Sequence, residues 1–85
     1  VKLPTIHLNG TSRDALASGY SAAYQAVSDA LDALENVELN GRDYYPQGPD
    51  AFSEARREHT ERCVALRVVR DQLCEIVQHL MEDAS

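Results

Sequence analysis

Cysteine is scarce in this chain and no long apolar run occurs, and both absences constrain it. The two cysteines among 85 residues, Cys63 and Cys74, stand eleven positions apart. On one helix they lie about 16 Å apart, at ~1.5 Å rise per residue, too far for an intrachain disulfide. Without a secretory signal or an apolar stretch of membrane length, the chain reads as cytosolic with reduced thiols. Walker, Rossmann, zinc-finger and EF-hand patterns are missing. No CxxC occurs and no histidine pair has metal-ligand spacing, so neither metal nor cofactor is expected. Basic charge is also short. A formal net charge of −6 removes the broad positive footprint that sequence-independent DNA binding needs. Acidic helix faces disfavour a membrane-surface role.

A chain of this length is one domain and buries only about 60% of its unfolded surface, so a monomeric core is worth a few kcal/mol at most. With no disulfide or metal, self-association is the expected remedy. Residues 1–12 read as an extended arm. Pro4 steers Leu3 away from helix, Ile6 and Leu8 alternate with polar neighbours, and Asn9-Gly10 turns the chain. Thr11 or Ser12 is placed to cap the helix that follows.

Two long helices carry the rest. Helix one is expected over 13–37, where Leu16, Tyr20, Ala23, Val27, Ala30 or Leu31, and Leu34 recur every three or four residues as an apolar stripe. Asp29, Asp32 and Glu35 mark its solvated face. Small residues crowd its first half, a packing signal that lets another helix approach closely. Helix two is expected over 50–83, with Pro49 at its first turn and no glycine or proline inside. Phe52, His59, Leu66, Leu73 and Leu80 repeat every seven residues. Ala55, Arg62, Val69 and Ile76 form a partner series, so the pair predicts a heptad-like seam. At 1.5 Å per residue helix two is roughly 15 Å longer than helix one. The uncovered apolar surface predicts an all-α hairpin that oligomerises through helix two.

The loop over 38–49 is not a bland connector. Asn40-Gly41 predicts a tight turn with positive φ. Arg42, Asp43 and the adjacent Tyr44 and Tyr45 follow, and the loop feeds a helix N-terminus, where free N–H groups attract anions. One to two turns later come Arg56 and Arg57. Seven of the eight basic residues are arginine, whose guanidinium grips phosphate or carboxylate with two parallel bonds. Arginines plus an aromatic face are the minimum kit for a nucleotide, with Asn40 and Asp43 placed to read a base or ribose edge. The plainer reading is that the tyrosines plug the open end of the hairpin while Arg42 and Asp43 bridge each other.

Catalytic signals are thinner. His59 falls on the seam, where a packed histidine is the simplest reading, and His79 suits the helix C-terminal dipole. Cys63 follows His59 by one turn, yet no orienting third group, oxyanion hole or nucleophile turn accompanies them. No enzymatic activity is expected.

Three blocks carry a family resemblance: His7–Ser12 (HLNGTS), Asn40–Gly48 (NGRDYYPQG) and Ala55–Arg62 (ARREHTER). Together they resemble small phage-encoded helical proteins, and most closely the Thoeris anti-defence sponges, which sequester cyclic ADP-ribose signals made by bacterial immune enzymes. The resemblance implies assembly through long helices into dimers or hexamers in the cytoplasm of an infected bacterium. It also implies a ligand held at subunit interfaces without cleavage. Asn40, Arg42, Asp43 and Arg57 are then ligand contacts, Tyr44 or Tyr45 stacks on a base, and Arg56 and His59 join them from the third block. A sponge for cyclic oligonucleotides fits the same kit. A non-catalytic protein–protein interaction module of a phage or prophage is the competing expectation, and a small hydrolase using His59 or Cys63 a third.

Overall fold

The computed structural model describes residues 1–82. Two antiparallel helices, α1 (Arg13–Glu35) and α2 (Ala51–Glu82), form a hairpin, and no strand occurs among the described residues. The all-α expectation holds. Residues 1–12 lie alongside as an irregular arm, turning at His7–Gly10 where the Gly10 N–H donates to the His7 carbonyl at 3.1 Å. The expected last residue of helix two, Asp83, lies outside the described residues.

The start of α1 has a specific cause. Ser12 is extended (φ −64°, ψ 153°) and its Oγ accepts the Ala15 N–H at 3.2 Å, satisfying one of the donors a helix start leaves open. At the far end, the Asn36 N–H closes on the Asp32 carbonyl. The chain then runs into two 3-10 turns, Gly41–Asp43 and Tyr45–Gln47, before α2 begins.

At 23 and 32 residues, the helices measure roughly 34 and 48 Å. α1 therefore covers only the C-terminal two thirds of α2, and the two 3-10 turns pack beside its beginning. Arg67 of α2 reaches Glu35 at the end of α1, N to O 3.1 Å. At the opposite end His79 Nε2 donates to the Pro4 carbonyl at 2.9 Å, so this histidine holds the arm rather than serving the helix dipole alone. The molecule is a rod of 61 × 19 × 19 Å.

One series of the expected seam faces inward and the other is corrected. Phe52, His59, Leu66, Leu73 and Leu80 are all half-buried or buried, but Arg62 and Val69 are exposed. Cys63, Arg70 and Val77 take the inner positions instead. α1 lies on the side of α2 reached by a step of four from His59, Leu66 and Leu73, whereas the expected series steps by three. Toward the C-terminus a straight helix drifts by ~20° per heptad, which brings Ile76 back inside. Leu31, Cys63, Ile76 and Leu80 are the buried hydrophobics among the described residues, and of these Leu31 and Leu80 are fully enclosed. Two helices supply one thin layer of core.

Candidate functional site

Phe52, the chain's single phenylalanine, organises the end of the rod where the loop meets α2. The Tyr44 ring packs on it with centroids 6.1 Å apart and planes tilted by 34°. Gly41 lies over the same ring, close enough that a β-carbon there would touch it at 3.6 Å. From the other side the Arg56 guanidinium sits 5.7 Å from the ring centroid, within cation–π range. The spacing of Phe52 and Arg56, one helical turn, makes this contact automatic once α2 forms.

The loop reaches this geometry without the turn expected at Asn40-Gly41. Neither residue has positive φ; among the described residues only Gly48 does, at φ 124°. Asn40 is extended and caps the first 3-10 turn, its Oδ1 accepting the Arg42 N–H at 3.1 Å. The reversal that launches α2 is placed instead at Gly48, where ψ is 169°, a backbone region essentially reserved for glycine. Pro49 precedes α2 by two residues rather than occupying its first turn.

The site residues divide into distinct roles. Tyr44 is half-buried on Phe52, while Tyr45 is 75% exposed and presents a free aromatic face. Arg42 and Asp43 are both exposed and do not bridge each other. Arg56 and Arg57 line an open trough of about 400 Å³ with Ser53, Thr60 and Glu61. His59 points inward, its Nε2 3.8 Å from the Cys63 sulfur, and takes no part in the trough. Phe52, Ser53 and Thr60 are additions. Their signal is spacing, since 53, 56/57 and 60 share one helix face.

The arginines differ in their electrostatic partners. Arg57 pairs with Glu61 at 3.1 Å, Arg62 with Glu58 at 3.5 Å, Arg67 with Glu35 at 3.1 Å and Arg70 with Asp71 at 3.3 Å. Arg42 and Arg56 make no ion pair with any described residue. Arg13 makes none either, but it is half-buried at the start of α1; of the two exposed unpaired arginines, Arg56 lines the trough beside Ser53 and Thr60, and Arg42 stands in the loop with the exposed Tyr45. Among the described residues no cluster of three metal-ligating side chains occurs, and no helix is long and apolar enough to cross a membrane.

No protein-family model matches the chain, and no curated protein or solved structure matches it either.

Proposed function

We propose that the loop end of the rod binds a phosphate-bearing cyclic nucleotide, of the cyclic ADP-ribose type, and sequesters it without cleaving it. Together with the resemblance in the three sequence blocks, this makes the protein a phage anti-defence sponge. The observation that carries the reading is that Arg42 and Arg56 are both exposed and without an ion pair in a chain whose net charge is −6. Carboxylates outnumber arginines, yet none has captured these two. A phosphate accepts charge-assisted hydrogen bonds from such forks, with Ser53 and Thr60 as neutral donors and Tyr45 as the surface for a base. Arg57 contributes after exchanging Glu61 for the ligand. No nucleophile–base pair faces the trough, so the chemistry it supports is binding.

Calorimetry with cyclic ADP-ribose isomers and cyclic di- and trinucleotides tests the proposal. One member of the panel is expected to bind, and Arg56→Ala to weaken it at least about tenfold, or ~1.4 kcal/mol. Heat denaturation of the complex is expected to release the ligand intact; recovery of a cleaved product would establish hydrolysis. Absence of binding across the panel, or affinity indifferent to Arg42→Ala and Arg56→Ala, would sink the proposal.

A protein-interaction module is the second reading, favoured by Val64 and Val68, 47% and 51% exposed on the outer side of α2. An adaptor predicts that Val68→Glu abolishes function while Arg56→Ala spares it. Sequestration predicts the reverse.

A further inference from the structure

The trough on α2 carries one group that phosphate binding alone does not explain. Ser53, Arg56, Arg57 and Thr60 all offer N–H or O–H donors to an anion, but Glu61 lines it too, and an ionised carboxylate only accepts. In a phosphate site such a group repels the ligand unless some other part of the ligand answers it.

The helix gives the trough a direction. At ~100° per residue Ser53, Arg57 and Thr60 fall in one row along α2. Arg56 lies to one side of that row and Glu61 to the other, about 140° apart around the axis and ~7.5 Å along it. The Arg56 guanidinium is held over the Phe52 ring, so a cation marks the rim nearer the loop. A carboxylate marks the opposite rim.

The ion pair that Glu61 makes within the chain is built to open. Its Oε1 meets Arg57 Nη1 at 3.1 Å, and both side chains are mostly exposed. Its Oε2 makes no hydrogen bond or ion pair with any described residue. The pair also runs against the helix. At i,i+4 an acid ahead of a base is the favoured order, as in Glu58 and Arg62, whereas Arg57 precedes Glu61. An exposed pair with one contact and the weaker order adds little to stability, so a structural role explains Glu61 poorly.

All five of these lining residues are exposed. A site this open does not select by enclosing its ligand, and selection falls to its donors and acceptors. When a phosphate draws Arg57 away, Glu61 loses its one partner and faces the ligand with both oxygens free. A bare phosphate leaves that carboxylate unanswered. A ligand with hydroxyl donors beside its phosphate satisfies both rims at once. Ribose is such a group, and a carboxylate accepting from a ribose 2′-hydroxyl is a recurrent way to hold a nucleotide.

We propose, resting on the nucleotide reading of this site, that Glu61 is its specificity-determining residue. It accepts a hydrogen bond from a ribose 2′-hydroxyl while Arg56 and Arg57 hold the phosphate. The trough therefore takes ribonucleotides in preference to deoxyribonucleotides and to inorganic phosphates.

Calorimetric titration of the full chain tests this with cyclic ADP-ribose and cyclic diadenylate, their 2′-deoxy counterparts, and inorganic pyrophosphate. The wild-type chain is expected to bind a ribose probe at least about tenfold more tightly than its 2′-deoxy counterpart, as one hydrogen bond to a charged group implies. Glu61→Ala is expected to abolish that preference. Glu61→Gln keeps a neutral acceptor and is expected to retain part of it. Pyrophosphate is expected to bind both variants about two- to fivefold more tightly, because a competing carboxylate is gone. The position is exposed, so helix content and melting temperature are expected to stay near their wild-type values. The outcomes separate this proposal from the reading beneath it. Equal wild-type affinity for a ribose probe and its 2′-deoxy counterpart, or a preference that survives Glu61→Ala, would overturn the role of Glu61 and leave the nucleotide site standing. A wild-type chain that binds no nucleotide probe would overturn both.

Discussion

The two ends of α2 are built on opposite principles. From Cys63 onward the helix is doubled by α1, and all four buried hydrophobics of the described residues belong to this doubled part. Before Cys63 it is accompanied only by the loop, held through a single phenylalanine ring touched by Tyr44, Gly41 and Arg56. Arg42 and Arg56 at the loop end and Arg13 at the start of α1 make no ion pair, whereas Arg57, Arg62, Arg67 and Arg70 are paired. Buried apolar packing is concentrated in one part, and the exposed unpaired arginines in the other. A thin core can tolerate an exposed cationic surface only where little packing depends on it.

Substitutions that strike the two parts separately measure how sharp this division is. The largest loss is expected from Leu80→Ala, since Leu80 has no exposed surface. A change of that kind costs about 2–5 kcal/mol, most of the stability of so small a domain. Chemical denaturation followed by circular dichroism checks it; a loss below ~1 kcal/mol would place the core elsewhere.

Gly48→Ala comes next. At φ 124° and ψ 169° any β-carbon is strained, at a cost of about 1–3 kcal/mol, although open space surrounds the position. Because the change sits at the loop end, weakened ligand binding should accompany it. If binding survives, the turn does not position the arginines.

Ser12→Ala removes the α1 cap in the doubled part and is expected to cost about 1 kcal/mol, with a melting temperature lower by ~4–8 °C and unchanged binding. Arg56→Ala closes the series with a stability change within about 0.5 kcal/mol, because its guanidinium makes only the ring contact. Its binding defect should be the largest of the four. A large stability loss at Arg56 would erase the distinction between the two parts.

The fold was legible because its signals are local. Apolar spacing and Ser12 place both helices to within two residues, and the absence of glycine and proline through α2 announces its length. The inner series of α2 was not legible to the same degree. Whether Arg62 or Cys63 faces the core depends on which side α1 lies, and that depends on a loop that turns at Gly48 rather than at Asn40-Gly41. Asn40-Gly41 has the composition of a positive-φ turn, yet the extended backbone of Asn40 leads into a 3-10 turn, and Gly48 makes the reversal.

In the site, two of the ion pairs are written in the sequence, Arg57 with Glu61 and Glu58 with Arg62, each four residues apart on one helix. The Arg67–Glu35 pair spans the two helices and needs the fold. Knowing which arginines remain free required knowing all the pairs at once. By its heptad spacing Phe52 reads as a seam residue; its place beneath the loop follows from α1 ending too early to cover it.

The contact between His79 and Pro4 has a consequence for how the rod assembles. It joins residues 75 positions apart, whereas the Glu35–Arg67 pair near the loop joins residues 32 apart. Closing the longer span from an open chain costs about 0.8 kcal/mol more in chain entropy. That difference favours closing the hairpin at the loop before the arm docks. Of the two closures, the one at the loop is thus the cheaper in chain entropy and the docking of the arm the dearer.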